Sequence, residues 1–258
     1  MKNFLIHTAY QAGKSLKHNF RHLLTKQAKD EYGNIVTSAD FAAEKIIISA
    51  AKKYYPQYNI LSEEAGYFNN NSPYTIIIDP LDGTKNFAKN IPLFGTTIAL
   101  AYKEQVMEGV IYDPIHKEMF YAKKNKGAFL NNKKIKTSTK KNLENFTGGV
   151  TNVRSKTNKT SYDYLRNKFY GFSGGWKALG TAVLDLSWVA DGCMDLFILG
   201  GVCPWDVAAG GLLVQEAGGI IRQIDGKKWS PMQERQEIIA AANKSIYNEA
   251  LKLLKNKL

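Results

Sequence analysis

The feature that most constrains this chain is the hexapeptide at residues 79–84, which directly follows an apolar, β-branched run at 74–78. A short run of this kind predicts a buried strand. At its end the chain offers two carboxylates, Asp79 and Asp82, and then the pair Gly83-Thr84, which predicts a turn that opens a helix. Carboxylate oxygens beside free backbone N–H groups suit a divalent cation together with a phosphate. The motif therefore points to metal-assisted phosphoryl chemistry.

The order of the other predicted elements is that of a mixed α and β chain. With 258 residues and 44% hydrophobic content, we expect a single domain over 1–258, with approximate halves 1–145 and 146–258. The pattern of the first half predicts two helices followed by antiparallel strands. The second half predicts helices at 161–168, 181–190, 205–217 and 245–254, and strands at 195–199, 220–224 and 238–242. Such an order favours sheets layered against helices.

The charge of the chain raises a second hypothesis. A formal net charge of +12 is compatible with a nucleic-acid surface. However, 30 of the 35 basic residues are lysines, whereas recognition of phosphates and bases favours arginine. We therefore interpret the charge as a compositional bias on solvated faces. An RNA- or transcription-complex-binding regulatory role stays open as an alternative.

Cysteine use and hydropathy predict a cytoplasmic protein. Two cysteines, Cys193 and Cys203, are too few for a disulfide framework and lack metal-site spacing, so we expect reduced core thiols. The first residues resemble the start of a signal peptide, but polar side chains from His7 onward interrupt the apolar run. The chain has no apolar stretch of about 18 residues, so we expect no membrane helix.

Three further acids are candidates for the same site, and each also has an ordinary structural explanation. Glu63 follows a short strand in a polar loop, where acids are often only solvated. Asp206 lies near a predicted helix start, where the helix dipole favours a carboxylate. Asp40 follows Thr37 by three residues, which is the spacing of a capping box. Mg²⁺ needs only a few carboxylates beside water and substrate phosphate.

Two long motifs, in order, are similar to those of the inositol monophosphatase family. They are D-P-L-D-G-T-K-N-F at 79–87 and W-D-V-A-A-G-G-L-L-V-Q-E-A-G-G at 205–219, with shorter matches at 36–40, 62–64 and 180–182. The family belongs to the lithium-sensitive, Mg²⁺-dependent phosphatases. The resemblance implies an α/β layered sandwich of alternating helix and sheet layers, shared with fructose-1,6-bisphosphatase. It also implies two to three Mg²⁺ ions, a small phosphorylated substrate and a homodimer.

The resemblance implies a set of metal ligands. Glu63, Asp79 and the Leu81 carbonyl would hold one Mg²⁺. Asp79, Asp82 and Asp206 would hold a second, so that Asp79 bridges the two ions. Metal ions paired in this way can neutralise a phosphate ester and stabilise the leaving alkoxide. Positioning and electrostatics then supply most of the catalysis.

The resemblance also implies catalytic and substrate-binding roles. Thr84 and Asp40 would orient a water held by the first metal and help to deprotonate it, with Glu63 as the third catalytic residue. The N–H groups of Gly83 and Thr84 would bind the substrate phosphate. The complete set of implied substrate contacts is Gly83, Thr84, Ala182 and Asp206.

Two positions depart from the pattern of the inositol-hydrolysing relatives. Where those relatives carry an acid that contacts sugar hydroxyls, this chain has Leu199, and where they carry an arginine it has Lys177. Loss of a hydrogen-bond acceptor costs discrimination for a hydroxyl-rich ligand. We therefore expect another small phosphate monoester, or broad specificity. A 3′-phosphoadenosine-phosphate or fructose-1,6-bisphosphate phosphatase is a further alternative, and we expect residues 151–177 to decide among them.

Overall fold

A computed structural model of the protein describes residues 1–22, 26–28, 35–151, 169, 175–233 and 235–255. The predicted helix at 161–168 lies outside these residues, as does most of the segment 151–177 that the sequence assigns to substrate selection. The described helices are α1 (Lys2–Asn19), α2 (Ser38–Tyr54), α3 (Thr84–Ala88), α4 (Ala182–Ala190), α5 (Pro204–Glu216) and α6 (Lys244–Lys255).

The described strands form three sheets. A two-stranded sheet joins β1 (Lys26–Ala28) to β2 (Ile35–Thr37). An eight-stranded sheet has the order β10-β9-β8-β7-β6-β5-β3-β4 and is built from β3 (Asn59–Ser62), β4 (Gly66–Phe68), β5 (Tyr74–Asp82), β6 (Gly95–Tyr102), β7 (Gln105–Asp113), β8 (Glu118–Lys123), β9 (Gly127–Leu130) and β10 (Lys133–Lys134). A five-stranded sheet has the order β12-β11-β13-β15-β14 and is built from β11 (Thr147–Val150), β12 (Gly175–Lys177), β13 (Leu196–Val202), β14 (Ile220–Gln223) and β15 (Gln236–Ala241).

The antiparallel prediction for the first half is right from β5 to β10 and wrong for β3. Strand β3 pairs antiparallel with β4 on one side and parallel with β5 on the other. The chain reverses its direction between β3 and β4, and it reverses again between β4 and β5. Strand β5 therefore runs in the same direction as β3. Parallel pairing brings the ends of β3 and β5, and hence the residues that follow them, to one edge of the sheet.

Helices and sheets alternate in five layers. Helices α1 and α2 pack on one face of the eight-stranded sheet in a first hydrophobic cluster. Helices α4 and α5 lie between the two large sheets and share a second cluster with side chains of both. Helix α6 covers the outer face of the five-stranded sheet in a third cluster. The structure thus confirms the predicted layered sandwich.

The apolar run at 74–78 lies in strand β5, which is packed against helices on both of its faces. Ile76 and Ile78 pack in the cluster of α1 and α2, whereas Ile77 packs in the cluster of α4 and α5. All three side chains are at most 1% exposed. Because successive side chains of a strand point to opposite faces, a strand covered on both faces must be apolar throughout. The run at 74–78 therefore belongs to an interior strand, β5, which also contains the first four residues of the hexapeptide.

Helix α5 approaches the eight-stranded sheet closely at one glycine. A Cβ on Gly109 of β7 would lie 2.8 Å from the Cα of Ala209 on α5, so a larger residue would push the helix away. Asp206 lies in the first turn of the same helix. The close packing at Gly109 therefore helps to bring the Asp206 carboxylate to the edge of the sheet where β5 ends.

Two further expectations from the sequence concern the burial of the cysteines and the absence of a membrane helix. The cysteines are not in the core as expected, because Cys193 lies exposed in the turn after α4 and half-buried Cys203 is the N-cap of α5. Among the helices of the described ranges, none combines the length and apolarity that a bilayer crossing requires.

A candidate carboxylate metal site at the end of strand β5

Three aspartates meet where β5 ends and α5 begins. Asp79, Asp82 and Asp206 each place a carboxylate oxygen within 4.8 Å of the other two. Asp79 is buried, and the other two are half-buried. Strict alternation would place Asp79 and Asp82 on opposite faces of the strand, but the pairing of β5 with β6 is irregular between these two residues. Pro80, which has no N–H to donate, fits such an irregularity.

The charges around Asp79 make this cluster unusual. Burial raises the pKa of the Asp79 carboxyl well above its ordinary value, and the nearby carboxylates of Glu63, Asp82 and Asp206 raise it further. Among the residues that the structure describes, no cationic side chain is one of the groups that shift this pKa. Buried carboxylates that repel one another are relieved by a bound cation or by protonation. The donor set consists of hard oxygen atoms, which is the chemistry that Mg²⁺ requires.

Glu63 lies beside Asp79 because its loop is fastened to α2. The Glu63 N–H donates to the carbonyl of Ile78 at 3.2 Å. Glu44 of α2 accepts hydrogen bonds from the Ser62 hydroxyl at 2.6 Å and from the Ala65 N–H at 2.9 Å. Glu44 is not among the residues that the sequence motifs predict for the site. Its position three residues before Ile47, on the buried face of the predicted helix, is the signal that could have identified it.

Asp40 is both the acid of the capping box at the start of α2 and a neighbour of the Thr84 hydroxyl. Its Oδ2 accepts from the Thr37 N–H at 2.8 Å and the Thr37 hydroxyl at 2.6 Å, which confirms the predicted capping box. The Thr84 hydroxyl lies 3.1 Å from Asp40 Oδ1 and 2.9 Å from the Leu81 carbonyl oxygen. Burial raises the pKa of Asp40, against the lowering effect of the Thr37 hydrogen bonds. Asp40 is therefore a buried carboxyl in contact with a hydroxyl beside the aspartate cluster.

The backbone between Asp79 and Thr84 is held in a specific conformation. The Leu81 N–H donates to Asp79 Oδ1 at 3.0 Å, and the Leu81 side chain is buried among the residues of the α1 and α2 cluster. Gly83 has a φ of +87°, and a Cβ there would lie 2.8 Å from the carbonyl oxygen of Leu93. Only glycine fits this position without strain. Gly83 is the N-cap of α3, whose first N–H groups have no partner within the helix.

Asp82 and Asp206 are each oriented by a helix start. Asp82 Oδ2 accepts from the Thr181 hydroxyl and from the Val183 N–H, the latter at 3.0 Å. Thr181 is the N-cap of α4, so Ala182, the first residue of that helix, lies next to the group that holds Asp82. Asp206 Oδ2 accepts from the Cys203 N–H at 2.7 Å at the start of α5. The role of Thr181 as a support of Asp82 is a contact that sequence analysis did not foresee.

The two positions that depart from the inositol-hydrolysing pattern lie in different surroundings. Leu199 is fully buried in β13 within the cluster of α4 and α5, where its side chain offers no hydrogen-bond acceptor. Lys177 is exposed at the end of β12.

A further buried carboxyl, which the sequence did not reveal, lies near the site. Asp185 on α4 is fully buried, and neither of its oxygens has a hydrogen-bond partner among the residues that the structure describes. A Cβ on Gly149 would lie 2.8 Å from Asp185 Oδ1, so β11 packs closely against this carboxyl. Burial raises the pKa of Asp185 well above its ordinary value, and the charge of Asp82 adds to this effect. Its signal in the sequence is an acid within the apolar run A-V-L-D-L-S-W-V-A.

The whole chain is similar to known proteins. The model of the inositol monophosphatase family matches residues 1–258. Nus factor SuhB of Escherichia coli K12 is 37% identical over 231 residues, which cover 88% of this chain and 86% of that protein. Inositol-1-monophosphatase of Mesorhizobium japonicum is 36% identical over 260 residues, which cover 99% of this chain and 96% of that protein. The crystal structure of extragenic suppressor protein suhB from Bartonella henselae superposes with a TM-score of 0.92 at 32% identity, covering 100% of this chain and 99% of that one.

The burial of Asp185 predicts a pH-dependent stability. As pH rises above about 4, the unfolded chain loses this proton first, because the folded carboxyl has the higher pKa, and the folded state is increasingly disfavoured. We expect Asp185→Asn to raise the free energy of unfolding by about 1–3 kcal/mol at pH 7 and by progressively less toward pH 4. Urea denaturation in EDTA across this range measures the difference.

The matched control for this experiment is Asp225→Asn, which removes an acid that is 48% exposed. We expect little change in its stability at either pH. A gain for Asp185→Asn that is equal at pH 4 and pH 7 would contradict the assignment of a raised pKa to Asp185.

Proposed function

The chain belongs to the inositol monophosphatase family, and from this membership we propose that it is a Mg²⁺-dependent phosphomonoesterase that hydrolyses a small phosphate ester. The observation that carries the proposal is the carboxylate cluster around buried Asp79, which Glu63, Asp82 and Asp206 complete. The order of the motifs along the chain supports the same assignment.

The residues at the end of β5 fit a divalent cation. We propose that Asp79, Asp82 and Asp206 hold one Mg²⁺, and that Asp79, Glu63 and the Leu81 carbonyl hold another. Bound Mg²⁺ supplies charge neutralisation for the phosphate ester and the leaving alkoxide, and it makes a water molecule more acidic. Two to three ions per site is the number that the family resemblance implies.

We propose that Thr84 and Asp40 carry the proton away from the attacking water. The Thr84 hydroxyl lies 3.1 Å from Asp40 Oδ1, so it can pass its own proton to that oxygen while it accepts one from the water. The Thr37 hydrogen bonds hold the other oxygen of Asp40 in place. Burial raises the pKa of Asp40, which makes its carboxylate a better proton acceptor than an exposed aspartate. Glu63 completes the proposed catalytic set.

We propose that the substrate phosphate lies between two helix starts. The N–H groups of Gly83 and Thr84 begin α3, and Ala182 begins α4. Backbone N–H groups at a helix N-terminus favour an anion. Asp206 is the further side chain that we place against the substrate, at the start of α5.

The proposed metal site predicts that Asp82→Asn abolishes activity without loss of the fold. The variant keeps an oxygen for the Thr181 and Val183 hydrogen bonds but loses the negative charge. We expect Mg²⁺-dependent phosphate release to fall by at least about 100-fold, with an unchanged circular dichroism spectrum. Asp225→Asn, at an exposed acid away from the cluster, is the matched control and should retain full activity. Undiminished turnover of the Asp82→Asn protein would reject the proposed site.

The buried Leu199 predicts a substrate other than inositol 1-phosphate. A site without the acceptor for sugar hydroxyls loses discrimination for them, so we expect kcat/KM for inositol 1-phosphate to be no higher than for other small esters. The measurement is phosphate release from inositol, sugar and nucleotide phosphates, with 3′-phosphoadenosine phosphate and fructose 1,6-bisphosphate included. A clear inositol preference of the wild-type protein would contradict this prediction.

A second candidate role follows from a relative's name. A protein that is 37% identical to this chain is named Nus factor SuhB, and we infer from it an association with RNA or the transcription machinery as a role beside hydrolysis. The net charge of +12 supports contact with a polyanion. The test is RNA binding as a function of salt, where we expect measurable affinity at about 0.1 M salt that falls as salt increases. Absence of binding at that concentration would exclude direct RNA contact.

A further inference from the structure

A groove of about 840 Å³ lies beside α1, on the face of the eight-stranded sheet that α1 and α2 cover. One of its walls is a stripe of α1 that includes Ile6, Tyr10, Lys14 and Lys17, spaced as one face of a helix. The opposite wall and the floor come from the ends of β7, β8 and β9. The groove shares no lining residue with the carboxylate site at the end of β5.

The floor of the groove is aromatic and apolar. Tyr112 lies opposite Met119 in the sheet register, and Tyr121 lies opposite Phe129, so these four side chains share one face. The two tyrosines are buried, whereas Met119 and Phe129 are half-buried. Tyr10 is 46% exposed as a residue, and its ring centroid lies 5.7 Å from that of Tyr112. The floor rings are therefore largely covered by the protein.

Lys2 covers part of this floor as well. Its Nζ lies 5.1 Å from the ring centroid of Tyr121 and 5.9 Å from that of Phe129. The ring that the groove presents most openly to a ligand is therefore that of Tyr10.

The rim of the groove is basic. Lys14 and Lys17 line it from α1, and Lys117 lines it from the turn between β7 and β8, all three being exposed. No aspartate or glutamate is among the lining residues in the described ranges. Two acids on neighbouring β7, Glu108 and Asp113, already contact basic side chains elsewhere. The rim lysines are therefore available to an anion.

We propose that this groove binds a nucleotide, with its base against the exposed ring of Tyr10 and its phosphates at Lys14, Lys17 and Lys117. Bases stack on exposed aromatic rings, and clustered ammonium groups attract phosphates. The volume lies within the range of pockets that hold one small ligand. The exposed Tyr10 ring and the charged rim together favour a ligand that is flat at one end and strongly anionic at the other.

The test is equilibrium binding of ATP to the full-length protein in EDTA, where no divalent ion is available to the carboxylate site. We expect saturable binding that weakens at least about tenfold in the double variant Lys14→Glu/Lys17→Glu. Lys252→Glu, an exposed lysine on α6 at the other side of the layers, is the matched control and should change affinity by less than about twofold. Because the assay needs no catalysis, its outcome is independent of the proposed phosphatase activity.

Two probes and one variant separate the contributions of base and phosphate. Tripolyphosphate carries the charge without the ring, adenosine carries the ring without the charge, and each should bind at least about tenfold more weakly than ATP. Tyr10→Ala should weaken ATP binding and leave tripolyphosphate binding unchanged. This variant removes a side chain that is 46% exposed, so it keeps the test valid if the double variant does not fold.

Four results would overturn the proposal. They are absence of saturable ATP binding, equal affinity of the wild-type protein and the double variant, tripolyphosphate binding as tight as ATP binding, and tight binding of a single-stranded oligonucleotide without binding of ATP. The third result would indicate an unspecific polyanion surface, and the fourth a nucleic-acid surface.

Discussion

Repulsion among carboxylates around buried Asp79 is the constraint on which the site depends. Burial alone disfavours the charged form of Asp79, and Glu63, Asp82 and Asp206 add to that cost. Such an arrangement is unfavourable for stability unless a cation occupies it or protons neutralise it. The surroundings nevertheless hold these acids in place through hydrogen bonds from Thr181, Cys203 and the Leu81 N–H. A fold that fixes repelling carboxylates in this way is organised for binding a positive ligand.

The layered architecture supplies the positions of these groups. Strand β5 is covered on both faces, so its end is a rigid platform for Asp79 and Asp82. Parallel pairing of β3 with β5 places Glu63 at the same edge, where Glu44 of α2 fastens its loop. Close approach at Gly109 brings α5 and Asp206 to the sheet. Groups from three separate elements are therefore held by contacts that lie outside the site itself, which is how a preorganised site is supported.

Local sequence patterns predicted much of this structure, but they did not predict contacts between residues that are distant in the sequence. The β-branched run identified β5, the Thr37 spacing identified the start of α2, and the motif order identified the family and its layered fold. Glu44, Thr181 and Asp185 were missed because their roles depend on partners far away in the chain, which spacing does not reveal. The parallel pairing of β3 and the exposure of Cys193 were missed for the same reason, since strand neighbours and solvent contact are tertiary properties.

The carboxylate cluster can be examined by soaking crystals of the protein in Mn²⁺, an oxygen-seeking ion that resembles Mg²⁺ in its ligand preference, and by recording anomalous scattering at the manganese edge. If Asp79, Asp82 and Asp206 form a metal site, an anomalous peak will lie in coordinating contact with all three carboxylates, and it will disappear in crystals of the Asp82→Asn protein. The absence of a peak at these side chains in wild-type crystals, or carboxylates that point away from one another, would contradict the metal site and with it the proposed phosphatase.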